Sequence, residues 1–245
     1  SPVIKETMTG LHYKKDHKLL IENIYDTFNE NTSELLNEDA CGEPLLLRNC
    51  NYKTSFTRVM HCYQAAKLQE ITDLQKNKMI MEWGGGYGGL CRIVKKINPN
   101  ITYVIVDLPC SIALQFLYLS TVLSEDSVEI FDGLNFSAGK IILVPSTDLE
   151  KIPESYSADI FVSSWALSES SSDAQKAVSD RKFFGAEKGL LIHQHSSLRH
   201  PHADDSAKLF TKNFNIHNTS PFPYFEDQTI IQGQINKTQN QVSSI

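Results

Sequence analysis

The sequence predicts an α/β fold: a mostly parallel sheet covered by helices on both faces, closed by a C-terminal antiparallel hairpin and preceded by a helical cap. Three observations predict it. After residue 77 short apolar runs alternate with helical patterns. Those runs are near-continuously apolar, which is how strands buried on both faces read. The last two strand-like runs are separated only by a turn with Pro221 and Pro223, too short for a crossover helix.

Residues 1–77 read as helical and irregular. Apolar residues at helical spacing mark Lys18 to Tyr25, Thr32 to Leu36 starts a second helix, and Ser55 to Leu74 carries a third near period 3.6. Pro44 and Leu45 to Leu47 form a connection. From residue 78 the strands are Lys78 to Glu82, Ile101 to Asp107, Lys140 to Val144, Ala158 to Ser164 and Gly189 to His195. Helices are expected over Leu90 to Ile97, Ser111 to Leu123, Asp173 to Phe184 and Ser206 to Phe214. With Ile216 to Thr219 and Thr229 to Ile235 as the hairpin, the sheet has seven strands. Residues 238–245 are polar and read as a frayed end. The division is thus a cap over 1–77 and an α/β domain over 78–245.

The composition removes several function classes. Hydrophobic residues make up 41%, above the disordered class, and 245 residues suffice for a large core. The net charge is -6 and no long basic run exists, so a nucleic-acid surface built on counterion release is not expected. No stretch reaches the length of a membrane span. Ser1 to Glu6 lacks the apolar core of a signal peptide. The five cysteines are scattered, with no C-x-x-C pair. Neither a zinc knuckle nor a disulfide framework is indicated, and a reduced, cytoplasmic protein is expected.

The sharpest motif is Glu82-Trp83-Gly84-Gly85-Gly86-Tyr87-Gly88-Gly89, placed where the first strand turns into a helix. Glycines there permit a tight turn and a close backbone approach to a ligand, beside the free N–H groups of the next helix. Gly84, Gly86 and Gly89 also satisfy the dinucleotide fingerprint G-x-G-x-x-G, so the loop alone allows two cofactors. Glu82 weighs against a dinucleotide: its carboxylate repels a pyrophosphate and attracts the ammonium of a methionine moiety. Asp107 ends the next strand, where a carboxylate accepts both ribose hydroxyls of either cofactor. The terminal hairpin belongs to the methyltransferase version of the fold. The choice therefore falls on S-adenosyl-L-methionine.

Residues 78–235 resemble the class I S-adenosylmethionine-dependent methyltransferases, with their Rossmann-like sheet. The narrower resemblance is to the bacterial sugar O-methyltransferase family of surface-polysaccharide clusters. It rests on the glycine motif with Val106-Asp107-Leu108-Pro109, Gln115-Phe116-Leu117-Tyr118-Leu119 and Trp165-Ala166-Leu167-Ser168-Glu169. It implies that Glu82, Gly84, Gly85, Gly86, Tyr87 and Gly88 hold the methionine part, Asp107 the ribose, and Leu108 the adenine face. Thr147 and Asp148 take the place that meets the adenine amine, with a turn cap the equal alternative for Asp148. Ser164 and Trp165 lie beside the sulfonium. Residues 1–77 then help to form the acceptor site.

Methyl transfer to a hydroxyl requires alignment of the acceptor oxygen and removal of its proton. A positioned general base contributes roughly 10²- to 10⁴-fold. His195 is the first candidate, with His193 on the same strand face and Glu169 as a second base or acceptor contact. His193, His195, His200, His202, Asp204 and Asp205 also permit a metal site, but the spacing matches no metal motif and none is assigned. His12, His17, His61 and His217 receive no role. The expected partner is a small-molecule or glycan acceptor, such as a sugar or a sugar-containing polysaccharide precursor. A phosphate-type oxygen, an amine, or a non-catalytic cofactor-binding subunit are the alternatives. The oligomeric state is open, a homo-oligomer included.

Overall fold

The computed structural model describes residues 17–48, 50–134, 136–223 and 225–235. His12 and the polar stretch 238–245 lie outside the described residues. In chain order the helices are α1 (Lys18–Phe28), α2 (Thr32–Leu36), α3 (Phe56–Ile71), α4 (Gly89–Ile97), α5 (Pro109–Val122), α6 (Ala166–Glu169), α7 (Ser172–Asp180) and α8 (Ala203–Asn213). The strands are β1 (Met79–Trp83), β2 (Thr102–Asp107), β3 (Val128–Ile130), β4 (Ile141–Pro145), β5 (Ile160–Ser164), β6 (Lys188–Gln194), β7 (Asn215–Pro221) and β8 (Gln228–Gln234).

The strands form one sheet in the order β3-β4-β2-β1-β5-β6-β8-β7. Pairings β2–β4, β3–β4, β1–β5 and β5–β6 are parallel. Pairings β6–β8 and β7–β8 are antiparallel. The α/β architecture with its terminal hairpin is therefore the one the sequence predicts. The strand count differs, because eight strands are present among the described residues where seven were read. The added one, Val128–Ile130, is a three-residue edge strand, too short for any hydrophobic period to emerge.

The described chain divides into two compact units. The first comprises the residues up to Lys78 with Gly85–Lys151, and the second Met79–Gly84 with those from Ile152 onward.

In the first unit α1 and α4 pack on α3. Ser55 caps α3 by accepting from the backbone N–H of Arg58, at 3.1 Å, the kind of cap that contributes about 1 kcal/mol. Pro109 occupies the first turn of α5, where its missing N–H costs nothing. Asp39 binds both Arg58 and Arg92, the latter at 2.7 Å, and Tyr118 donates to the same carboxylate at 3.1 Å. Glu38 is a further partner of Arg58, at 3.1 Å. One short segment thus ties α3, α4 and α5 together through charge-assisted hydrogen bonds.

In the second unit α8 packs on β6, α6 and α7. The helix expected over Asp173 to Phe184 stops at Asp180. Lys182, Phe183 and Phe184 take left-handed backbone angles, with φ of 50°, 51° and 57°. That turn drops both phenylalanines into the core, with the Phe183 ring 5.0 Å and the Phe184 ring 6.3 Å from Phe161. Burial of the two aromatic rings, about 1.5–3 kcal/mol each, offsets local strain of roughly 1–3 kcal/mol per residue. Among the described residues no helix is long and apolar enough to cross a membrane.

Candidate active site

The glycine turn follows from the strand before it. β1 is apolar and buried, and the chain leaves it through Gly84, Gly86 and Gly88 at φ of 76°, 58° and 97°. These are left-handed conformations that cost most side chains energy and glycine almost none. Gly84, in the second unit, has a second reason to be glycine: a Cβ there would lie 2.0 Å from Cβ of Ala166. Gly86, in the first unit, has no such neighbour, and a Cβ would meet nothing within 4 Å. The space beside Gly86 is open. The Gly88 N–H donates to the Gly85 carbonyl at 2.8 Å, closing the turn ahead of α4.

Three other features of the first unit belong to this turn. Asp107 ends β2, half-buried. Gln115, wholly buried on α5, donates through Nε2 to Asp107 Oδ2 at 2.7 Å and to the Gly86 carbonyl at 3.0 Å. One amide therefore holds the turn and the carboxylate in register. Burial raises the Asp107 pKa, and hydrogen bonds from Leu108 and Gln115 offset only part of that rise. Leu108 is 60% exposed at the start of α5, an apolar face left in the open. Thr147 and Asp148 sit in a 3-10 turn just after Pro145, the register partner of Asp107. Asp148 pairs there with Lys151 at 2.9 Å.

Tyr87 differs from the other loop residues. Its ring is buried, 4.8 Å from Tyr118 and 5.4 Å from His61, with its hydroxyl 3.4 Å from His61 Nδ1. The ring braces the loop from within, so only the Tyr87 backbone is left for a ligand. Burial, with the Arg58 charge second, pushes the His61 pKa down to about 3.

The second unit carries the other candidates. Glu82 is buried on β1 and in parallel register with Val162 of β5. Ser163 donates to the Trp83 carbonyl at 2.9 Å and accepts from the Leu167 N–H at 3.0 Å, locking the β5–α6 junction. At that junction Trp165 has φ 64°, ψ -37°, a strained elbow for a large residue. Its indole donates to Gln228 Oε1 at 2.8 Å and packs edge-on against Phe222, at 5.4 Å. The Ser164 hydroxyl beside it is buried without a hydrogen-bond partner.

His193 and His195 do share a face, with ring centroids 5.3 Å apart. β6 ends at Gln194, so His195 sits just past the strand, at its carboxyl end. His193 is buried, and its Nδ1 lies 3.1 Å from the Gln194 carbonyl, so Nδ1 carries the proton and Nε2 is bare. Burial lowers the His193 pKa and favours the neutral ring. His195 Nδ1 lies 3.0 Å from Asp204 Oδ1, in the first turn of α8. Asp204 also accepts from the Ser196 N–H at 3.1 Å. Burial pushes the Asp204 pKa up, but the His195 and Ser196 hydrogen bonds hold it below the usual carboxylate range. Glu169 stands apart: it is exposed at the end of α6, and no described contact joins it to either histidine. His202 pairs with Asp205 instead, at 3.5 Å.

Sequence reasoning gave no role to Gln115 and treated Asp204 only as one of several residues that permit a metal site. The signal for Gln115 was present: it is a lone amide within the apolar run Ile112 to Leu119. For Asp204 no signal existed, because its pairing with His195 depends on how α8 returns to β6.

No protein-family model matches this chain, and no curated protein sequence matches it. Solved structures do share its fold. Magnesium protoporphyrin IX methyltransferase from Synechocystis PCC 6803, solved with bound SAH, aligns with a TM-score of 0.52 at 13% identity, over 76% of this chain and 90% of that one. Thermoplasma acidophilum 1320 aligns at 0.50 and 12%, over 74% and 90%. The pyocyanin biosynthetic protein PhzM aligns at 0.48 and 14%, and this chain spans 58% of its length. The first two likenesses establish the fold alone: the mixed α/β sheet with a C-terminal antiparallel hairpin.

Proposed function

We propose that this chain is an S-adenosylmethionine-dependent O-methyltransferase acting on a hydroxyl of a sugar or of a sugar-containing surface-polysaccharide precursor. The observation that carries the cofactor is Gly86, left-handed at φ 58° with open space where a side chain would stand. No heavy atom of the described residues stands within 4 Å of a Cβ built there, so the space suits a ligand that approaches the backbone. Glu82, beside the same loop in sequence, supplies the carboxylate for an ammonium.

In this reading Glu82 and the backbone of Gly84 to Gly88, Tyr87 included, hold the methionine part. Asp107, aligned by Gln115, takes the ribose hydroxyls. Leu108 lies on the adenine face, and Thr147 with Asp148 meets its amine. Ser164 and Trp165 border the reacting end. The bound cofactor supplies a methyl group on a sulfonium, already activated for displacement. The protein contributes alignment and proton removal. His195 accepts the acceptor's proton through Nε2 while Asp204 holds Nδ1–H, and the carboxylate stabilises the imidazolium that results. His193, buried and neutral, borders it, and Glu169 contacts the acceptor.

The sugar acceptor rests on the resemblance of residues 82–89, 106–109, 115–119 and 165–169. Residues 1–77 serve as the acceptor-side cap. The scattered cysteines suit a reducing, cytoplasmic setting. The test is methyl transfer from S-adenosylmethionine to a panel of sugars and sugar nucleotides, with His195→Ala in parallel. The proposal expects turnover that falls roughly 10²- to 10⁴-fold in the variant while cofactor affinity is kept. Turnover unchanged by His195→Ala removes the base, and no turnover on any hydroxyl acceptor removes the function.

A further inference from the structure

We infer that His193, His195 and Asp204 form a binding site for one divalent transition-metal ion at the carboxyl end of β6. One donor atom from each of the three lies within 4.8 Å of the other two. Two imidazole nitrogens and one carboxylate oxygen suit Zn²⁺, Co²⁺ or Mn²⁺ better than Mg²⁺ or Ca²⁺, which prefer all-oxygen sets.

A second observation points the same way. The Gln194 carbonyl can only accept, so the 3.1 Å contact from His193 Nδ1 fixes the proton there and leaves the bare Nε2 as a donor atom for an ion. A backbone carbonyl that orients a histidine through its other nitrogen is the usual support of a metal ligand. The ring that receives this support is the buried one, 3% exposed, so its orientation is fixed before an ion arrives. His195 and Asp204 are the exposed members, with side chains 56% and 41% accessible. They can swing toward an ion, and the open side leaves coordination positions free for an oxygen ligand. Three protein ligands with an open position is the arrangement of a catalytic site, not of a closed structural one. The 3.0 Å contact between His195 and Asp204 is held by a proton, and an ion at this place substitutes for it.

Metal binding itself does not depend on the proposed methyl transfer. Its consequence rests on that reading: an ion that takes His195 as a ligand would lower the pKa of an acceptor hydroxyl in the open position, whose proton would leave to water, and the general-base role of His195 belongs to the metal-free protein. The experiment uses the chelator-treated chain titrated with Co²⁺, read by visible ligand-field absorption and displaced by Zn²⁺. The expected result is one Co²⁺ per chain, a spectrum of mixed nitrogen and oxygen ligation, and affinity lowered roughly 10- to 100-fold or more by Asp204→Asn and by His193→Gln. Asp204 is partly exposed, so its variant keeps the fold even if the His193 variant does not. His200→Ala, outside the cluster, should bind as the parent does. No stoichiometric Co²⁺ binding, or binding that Asp204→Asn leaves unchanged, overturns the site. Calorimetric titration with S-adenosylmethionine on the same samples separates the two ideas. Cofactor binding without Co²⁺ binding defeats the metal alone, and Co²⁺ binding without cofactor binding defeats the proposed function alone.

Discussion

Two alanine substitutions two residues apart in the same turn, at Gly84 and Gly86, separate packing from ligand binding. Gly84→Ala places a Cβ 2.0 Å from Ala166 Cβ on a backbone at φ 76°. The left-handed conformation costs a non-glycine residue about 1–2 kcal/mol. Forcing a methyl into an occupied space adds about 1–3 kcal/mol. The sum is about 2–5 kcal/mol, which for a chain of this size lowers Tm by roughly 4–20 °C. Gly86→Ala bears only the first cost, because nothing lies within 4 Å of the new methyl. Its Tm should fall by roughly 2–8 °C. Its cofactor affinity should fall much further in proportion. The methyl enters the space assigned to the ligand, and overpacking of about 1–3 kcal/mol corresponds to roughly 5- to 150-fold in Kd. The assay is thermal unfolding with and without S-adenosylhomocysteine, followed by calorimetric titration. Parent-like affinity in Gly86→Ala would refute the reasoning, since the open space would then have no occupant.

The remaining expectations concern pH. Asp107 must be ionised to accept two ribose hydroxyls, and burial raises its pKa in the folded protein. Cofactor affinity should therefore weaken as pH falls, at a higher pH than for an unperturbed carboxylate. Asp107→Asn should bind weakly at every pH and show no such dependence in a calorimetric pH series. His61 is held neutral in the fold with a pKa of about 3, against 6.5 for the free side chain. Between those values the unfolded chain binds a proton that the folded one refuses, so stability is full above 6.5 and lost as pH falls toward 3. One proton is worth about 1.4 kcal/mol per pH unit, and denaturant unfolding of His61→Phe should lose up to that slope.

How much was legible before the fold was known depended on how local the signal was. The parallel strands announced themselves as apolar runs such as Tyr103 to Val106, because burial on both faces leaves no room for polar residues. The hairpin followed from the short connection alone. β3 was lost because three residues hold no period. The helix end at Asp180 was missed because the left-handed turn at Lys182 to Phe184 is driven by tertiary burial, with no glycine or proline ahead of it as a marker. In the site, glycine φ values and the Asp107 strand end are local features and were readable. The Gln115 bridge and the His195–Asp204 pair join residues 8 or 9 apart across a turn of direction, and only packing creates them. The Asp39 clamp on Arg58 and Arg92 spans 19 and 53 residues and left no trace in the sequence.

The central claim is that the turn from Gly84 to Gly88 with Asp107 is built for S-adenosylmethionine. Calorimetric titration of the purified chain with S-adenosylmethionine and, separately, with NAD⁺ tests it most directly. The account predicts one-to-one binding of S-adenosylmethionine and no binding of NAD⁺, because Glu82 repels a pyrophosphate. Binding of NAD⁺ in preference, or of neither ligand, would contradict it.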